Sequence, residues 1–364
     1  MNVLLYLGHP AQYHFIKNTA RQLLEDGHKV KILIKTKDIL ETLLKEDGWA
    51  YENIQSVPRK NTKWSILRAS FERTFKVYKT ARRFNADILI GTDSSVAQAA
   101  CLLRIPAITT LEDDIGVIYN LARLTYPFTS SILVPAPCQV GKWEKKKVPY
   151  YGYMKLAYLH PNQFTPDESV VKEYGISGDY VLIRLARLTA HHDAGVNGLN
   201  ISLVQRVIRT AQSRGFSVFI SSESEIDPSL SSFQLRINHS DIHHVLANAT
   251  LIVSDSQSMS VEAAMLGVPS IRFSDFAGRI SVLEELEHQY ELTIGIRTTE
   301  MDALEKKVEE LLSFPDCRSE FQRRRRRMLA DKIDVTAFLT WFIEQYPSSH
   351  QIIQNTPEYQ LRFK

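Results

Sequence analysis

A chain of 364 residues, 44% hydrophobic and 23% charged, is long enough for two domains with separate cores, and its composition is that of a soluble globular protein rather than a fibrous or disordered one. Its 44 lysines and arginines against 41 acids leave +3, too small a surplus to make nucleic acid the main partner, and Cys101, Cys138 and Cys317 lack the spacing of a zinc site or a disulfide framework. No apolar run approaches the roughly 18 residues of a membrane span, and strand-like sequence begins at Val3 without a signal-peptide pattern, so a cytoplasmic location is expected, with any membrane contact made from the surface.

The first elements alternate. Residues 3–7 form an apolar strand, the segment from Gly8 to His14 a loop, residues 15–27 an amphipathic helix and residues 30–34 a second strand. The loop lacks the G-x-G-x-x-G dinucleotide fingerprint but ends in His14, which at a loop-to-helix junction can serve as a general base or simply hydrogen-bond the loop. Residues 58–84 carry nine bases, from Arg59 to Arg83, against Glu72 alone, with Trp64, Leu67, Phe71, Phe75 and Tyr78 at helical spacing. That pattern suits a surface helix whose aromatic stripe packs on a sheet, or a basic amphipathic face for anionic lipid or a phosphorylated acceptor.

Strands at residues 87–90 and 105–110 then end in Gly91-Thr92-Asp93 and Leu111-Glu112-Asp113-Asp114, which places acids on one edge of a parallel sheet. Such carboxylates can act as acid and base or bind substrate hydroxyls. Asp93 equally suits an N-cap, and the three later acids a solvated loop. Residues 131–135 read as the last strand of this half, and the proline-interrupted residues 140–178 as an interdomain connection. The expected division is residues 1–163, 164–332 and a helix and tail at 333–364.

A second alternating series starts at residue 180, with Arg184 and Arg187 at the end of its first strand. It leads to Asp255-Ser-Gln-Ser-Met-Ser-Val-Glu262, a strand-to-helix junction that closes at Gly267 with Pro269 beyond. A helix N-terminus there offers unpaired N–H groups and a positive dipole end to a diphosphate, with Ser256, Gln257, Ser258 and Met259 around it. Glu262 can accept hydrogen bonds from ribose hydroxyls. The same residues also suit an N-cap at Ser256 or Ser258, with Glu262 in a capping box and no ligand. Residues 301–314 and 321–346 finish the chain as helices, with Arg323 to Arg327 a solvated face.

Several of these strings in order, from Gly8 to Asn18, Gly91 to Asp93, Gly152 to Pro161, Arg184 to Asp193 and Ser254 to Ala264, resemble an uncharacterised prokaryotic domain family related to non-hydrolysing UDP-N-acetylglucosamine 2-epimerase and to GT-B glycosyltransferases. The resemblance implies an α/β, GT-B-like fold of two doubly wound Rossmann-like domains facing a cleft. It implies a nucleotide-sugar as substrate and no cofactor. On that model the second domain holds the nucleotide, with Ser256, Gln257, Ser258 and Met259 at the diphosphate, Glu262 at the ribose and Arg184 neutralising charge. His14, Asp93 and Glu112 then face the chemistry, and no metal is called for.

The chain departs from the epimerase pattern after Glu112, where it runs Ile118-Tyr119-Asn120-Leu121, and at Arg184-Leu185-Ala186-Arg187 in place of a His-Arg-Arg-Glu-like loop. The resulting expectation is a UDP-sugar-dependent glycosyltransferase that acts on a glycan or lipid-linked acceptor, with peripheral membrane contact. The alternatives are a 2-epimerase-like enzyme and a non-catalytic nucleotide-sugar binder.

Overall fold

The computed structural model describes residues 1–37, 39–55, 63–185, 198–222, 225–275 and 277–364, the side chains of 63–68 excepted. The chain divides into two compact units, one made of Met1–Gln163 with Lys332–Lys364 and the other of Phe164–Asp331.

The first unit is built on seven parallel strands: β1 (Asn2–Leu7), β2 (Lys29–Lys35), β3 (Tyr51–Gln55), β4 (Ile88–Gly91), β5 (Ala107–Thr110), β6 (Ser131–Pro135) and β7 (Lys147–Tyr150). Their order is β3-β2-β1-β4-β5-β6-β7. Runs such as Val3, Leu4 and Leu5 in β1 and Ile88, Leu89 and Ile90 in β4 are buried, as parallel strands covered on both faces must be. Strand β7 was concealed in the sequence by Pro149, a residue that a sheet tolerates at its edge but not at its centre. The helix Pro10–Glu25 starts earlier than its apolar pattern, because Pro10 occupies the first turn and His9 caps it, with Nδ1 accepting from the Ala11 N–H at 3.2 Å.

The basic helix Lys63–Phe84 turns Arg73, Thr74, Val77, Thr80 and Ala81 inward and leaves Phe71 and Phe75 69% and 63% exposed. The expected aromatic stripe therefore holds only in part. Tyr78 packs against the core, while the two phenylalanines do not.

In the second unit five parallel strands, β8 (Tyr180–Leu185), β9 (Ser217–Ser222), β10 (Leu251–Ser254), β11 (Ser270–Phe273) and β12 (Ile294–Ile296), take the order β12-β11-β10-β8-β9. The helix Ile201–Ser213 buries Leu203, Val204, Val207 and Ile208, each contributing about 1.5–3 kcal/mol relative to an exposed side chain.

The stretch expected as one helix over 321–346 belongs to two, Cys317–Asp331 and Val335–Glu344, and a further helix, Ser348–Asn355, follows them. Asp334 makes the break, since its carboxylate accepts from the Thr336 and Ala337 N–H groups as an N-cap. Of the arginine run, Arg323, Arg326 and Arg327 are exposed, whereas Arg325 donates to the Met265 carbonyl at 2.5 Å. Gln322 likewise donates to the carbonyls of Leu266 and Gly267. These side chains close the C-terminus of the helix Gln257–Leu266, whose last turn ends at Gly267 with φ +68°. Among the described residues no helix is long and apolar enough to cross a membrane.

Candidate functional site

In the second unit the strand order reverses between β8 and β10, the place where an open parallel sheet leaves a crevice at its carboxyl end. Strand β10 delivers the chain there to the helix Gln257–Leu266. Across the sheet, Ser221, Arg184, Ser254, Arg272 and Gly295 stand in register on β9, β8, β10, β11 and β12. An arginine thus flanks Ser254 on each side, two residues before the helix cap.

Ser256 caps that helix, its Oγ accepting from the Met259 N–H at 3.4 Å while its own N–H donates to Ser254 Oγ at 2.8 Å. Gln257 sits in the first turn, donating from Nε2 to Ser274 Oγ at 2.7 Å and accepting at Oε1 from Arg272 Nη1 at 2.9 Å. Ser258 is half-buried beside it, Met259 is buried, and Ser260 Oγ donates back to the Ser256 carbonyl. Arg184 donates from Nη1 to Ser221 Oγ at 2.7 Å. Glu262 is buried and lies 3.6 Å from His243 Nε2; with Ser256 as the N-cap the third helix position is Met259, so Glu262 stands too far along the helix for the expected capping box. His243 in turn packs edge-on against Phe164.

In the first unit the order reverses between β1 and β4, and Tyr6 stands opposite Gly91 across that switch point. A small pocket there is lined by Tyr6, Leu7, Gln12, Gly91, Thr92 and Thr110 among others. Gly91 is required by proximity, since a Cβ would lie 2.8 Å from the Tyr6 carbonyl oxygen. Burial, with Asp93 adding to it, pushes the Tyr6 hydroxyl well above its ordinary range.

Asp93 caps the helix Ser94–Leu103, with Oδ1 accepting from the Ser95 N–H at 3.0 Å and from Ser95 Oγ at 2.8 Å. Arg73 Nε, from the basic helix, lies 3.2 Å from the same oxygen. Glu112 accepts from the Met154 N–H at 2.8 Å and pairs with Lys155 Nζ at 2.7 Å in a nearly dry setting. Asp114 accepts from the Gln139 N–H. Between them Asp113 is half-buried, and desolvation together with the neighbouring Glu112 and Asp114 raises its carboxyl above the usual aspartate range, against the opposing pull of Lys155. His14 lies inside the helix Pro10–Glu25 rather than at its start, with its ring 5.2 Å from that of Tyr158.

Sequence reasoning passed over Arg272 and singled out Glu112 rather than Asp113. A base between Ile271 and Phe273 in a buried strand was the signal for the first; nothing local distinguishes Asp113. Arg187 and the following residues to Asp193, with Glu223, lie outside the described residues. Among the described residues no group of three or more His, Cys, Asp or Glu side chains is placed to hold a metal ion.

Two parallel-sheet units of this kind define a GT-B-like α/β architecture. Comparison with solved structures gives the same class: the S. aureus MnaA–UDP co-structure matches with a TM-score of 0.67 at 10% identity, over 96% of this chain and 97% of that one. The UDP-GlcNAc 2-epimerase of Methanocaldococcus jannaschii matches with a TM-score of 0.62 at 16% identity, over 90% of this chain and 100% of that one. The glycosyltransferase VinC, solved in complex with dTDP, matches with a TM-score of 0.62 at 12% identity, over 94% and 98%. At these identities the likeness is one of fold. No family model and no curated protein matches the chain.

Proposed function

We propose that this protein is an enzyme that binds a nucleotide-sugar, a UDP-sugar, through its second unit and transfers the sugar to a hydroxyl of a glycan or lipid-linked precursor. The observation that carries the reading is the row Arg184, Ser254, Arg272 leading into the capped N-terminus of the helix Gln257–Leu266. Cations beside oriented N–H groups at a switch point suit a diphosphate leaving group. Support comes also from fold relatives solved with UDP and with dTDP.

In the transfer, the acceptor oxygen forms a bond to the anomeric carbon and the bond from that carbon to the diphosphate breaks, its electron pair passing to the leaving UDP. Arg184 and the helix N-terminus stabilise the charge that develops there. The proton acceptor is assigned to one of His14, Asp93, Glu112 and Asp113 in the first unit, where Asp93 lies against Arg73 and Glu112 against Lys155. Glu262 is assigned to the ribose.

Exposed Phe71 and Phe75 beside Lys79, Arg82 and Arg83 support a membrane-associated acceptor. Co-sedimentation with phosphatidylglycerol vesicles that survives Phe71→Ser/Phe75→Ser would remove that part.

A second reading, 2-epimerisation of a UDP-aminosugar, is favoured by the carboxylates gathered after β4 and β5, which provide an acid and a base at one sheet edge. The two readings separate when the protein is incubated with a panel of UDP-sugars in deuterated water without acceptor and followed by proton NMR. Transfer predicts saturable binding and an unchanged sugar. Deuterium at C2 with a new epimer establishes epimerisation instead. His14→Ala should abolish transfer with UDP binding intact, and full activity of Asp93→Asn would exclude Asp93 as the proton acceptor.

A further inference from the structure

Among the described residues Arg272 is one of the largest side chains to be completely buried, with 0% exposure. Its surroundings neutralise it incompletely. Nη1 donates to Gln257 Oε1 at 2.9 Å, Nη2 lies 3.6 Å from Glu287 Oε2, and neither Nε nor Nη2 makes a hydrogen bond. Glu287 meanwhile accepts the Gly295 N–H through its other oxygen at 2.9 Å. An apolar side chain between Ile271 and Phe273 would avoid the desolvation cost that a guanidinium carries there, so packing alone is a poor account of this residue.

What the guanidinium does is directional. It has donors and no acceptor, so the amide of Gln257 must present its oxygen to Arg272 and its nitrogen to Ser274 Oγ, 2.7 Å away. Gln257 is the first residue of the helix whose N-terminus faces the switch point. The arginine thus fixes the orientation of the opening turn and places a positive charge, countered by Glu287 and Glu284 without a hydrogen bond from either, in register with Ser254.

We infer that Arg272 is a positioning residue that acts through Gln257 to make this helix N-terminus selective for a nucleoside diphosphate over the uncharged nucleoside. The inference rests on the nucleotide-sugar reading and adds to it the residue that sets the preference for charge.

Calorimetric titration with UDP and with uridine, on the wild type and on Arg272→Met and Gln257→Ala, tests it. The expected result is that Arg272→Met weakens UDP about tenfold or more and uridine less than about twofold, the size of a lost charge-assisted contact. Gln257→Ala should shift the UDP-to-uridine ratio in the same direction, and the double variant should lose less than the sum of the two, because the residues act in series. A lower thermal midpoint with an unchanged ratio in Arg272→Met would mean a purely structural role and overturn the inference. Should Arg272→Met fail to fold, an unchanged ratio in Gln257→Ala overturns it equally. A wild type that binds no UDP removes the nucleotide reading itself, whereas UDP binding with unmoved ratios removes only the role of Arg272.

Discussion

The carboxyl edges of the two sheets share a topology and differ in how their charges are held. At the first edge each singled-out acid meets a base from another element: Asp93 meets Arg73, and Glu112 meets Lys155. At the second edge the hydrogen bonds from the guanidinium Nη1 atoms of Arg184 and Arg272 run to neutral partners, Ser221 Oγ and the Gln257 amide. An ion pair at 2.7 to 3.2 Å holds both of its partners in place. Arg272 keeps in addition a longer ion pair, with Nη2 3.6 Å from Glu287 Oε2, so its strongest hydrogen bond runs to a neutral amide while its charge is countered from further away.

The comparison breaks first where the charges are paired. Lys155→Met should lower stability by up to about 3 kcal/mol, because it leaves the mostly buried Glu112 carboxylate with the Met154 N–H but no counter-charge. Urea denaturation reads this, and Lys155→Met combined with Glu112→Gln should recover part of the loss. A single variant as stable as the wild type would show that the pair is not what holds this edge.

Gly91→Ala comes next, at about 1–3 kcal/mol, since its Cβ would press on the Tyr6 carbonyl at 2.8 Å and on Val96. A wild-type thermal midpoint in that variant would mean that β1 and β4 separate easily at the switch point. At the second edge Ser256→Ala should cost only about 0.5–1 kcal/mol, because the cap bond is long, yet weaken UDP measurably in the same titration that tests Arg272. Loss of stability without loss of UDP would make Ser256 a cap and nothing more.

The smallest effect sharpens the contrast through pH. Asp113 has a raised carboxyl pKa in the folded protein, so its stabilising contribution is complete below the unfolded aspartate pKa and is lost as pH rises through the raised value. Asp113→Asn should therefore match the wild type in acid and exceed it slightly in thermal midpoint at neutral pH. The opposite sign at neutral pH would mean that Asp113 is held as a carboxylate by Lys155.

The alternation of strands and helices was legible because buried parallel strands read as short apolar runs, and Ser256 at its helix start because cap chemistry is local. The same locality explains the misses. Pro149 hid β7, Asp334 divides what reads as one long helix, and the phenylalanine spacing in Lys63–Phe84 could not say that Arg73 would take the inward position.

The amino-acid sequence by itself determined the α/β class and the places where strands hand over to helices, since both depend on periodicity and on side chains a few residues apart. Tertiary structure alone decided that Arg184 and Arg272, 88 positions apart in the chain, flank one serine, and that Arg73 and Lys155 meet Asp93 and Glu112. The register of a parallel sheet and the pairing of buried charges join residues that no local pattern connects, and the electrostatics of each edge follow from those joins.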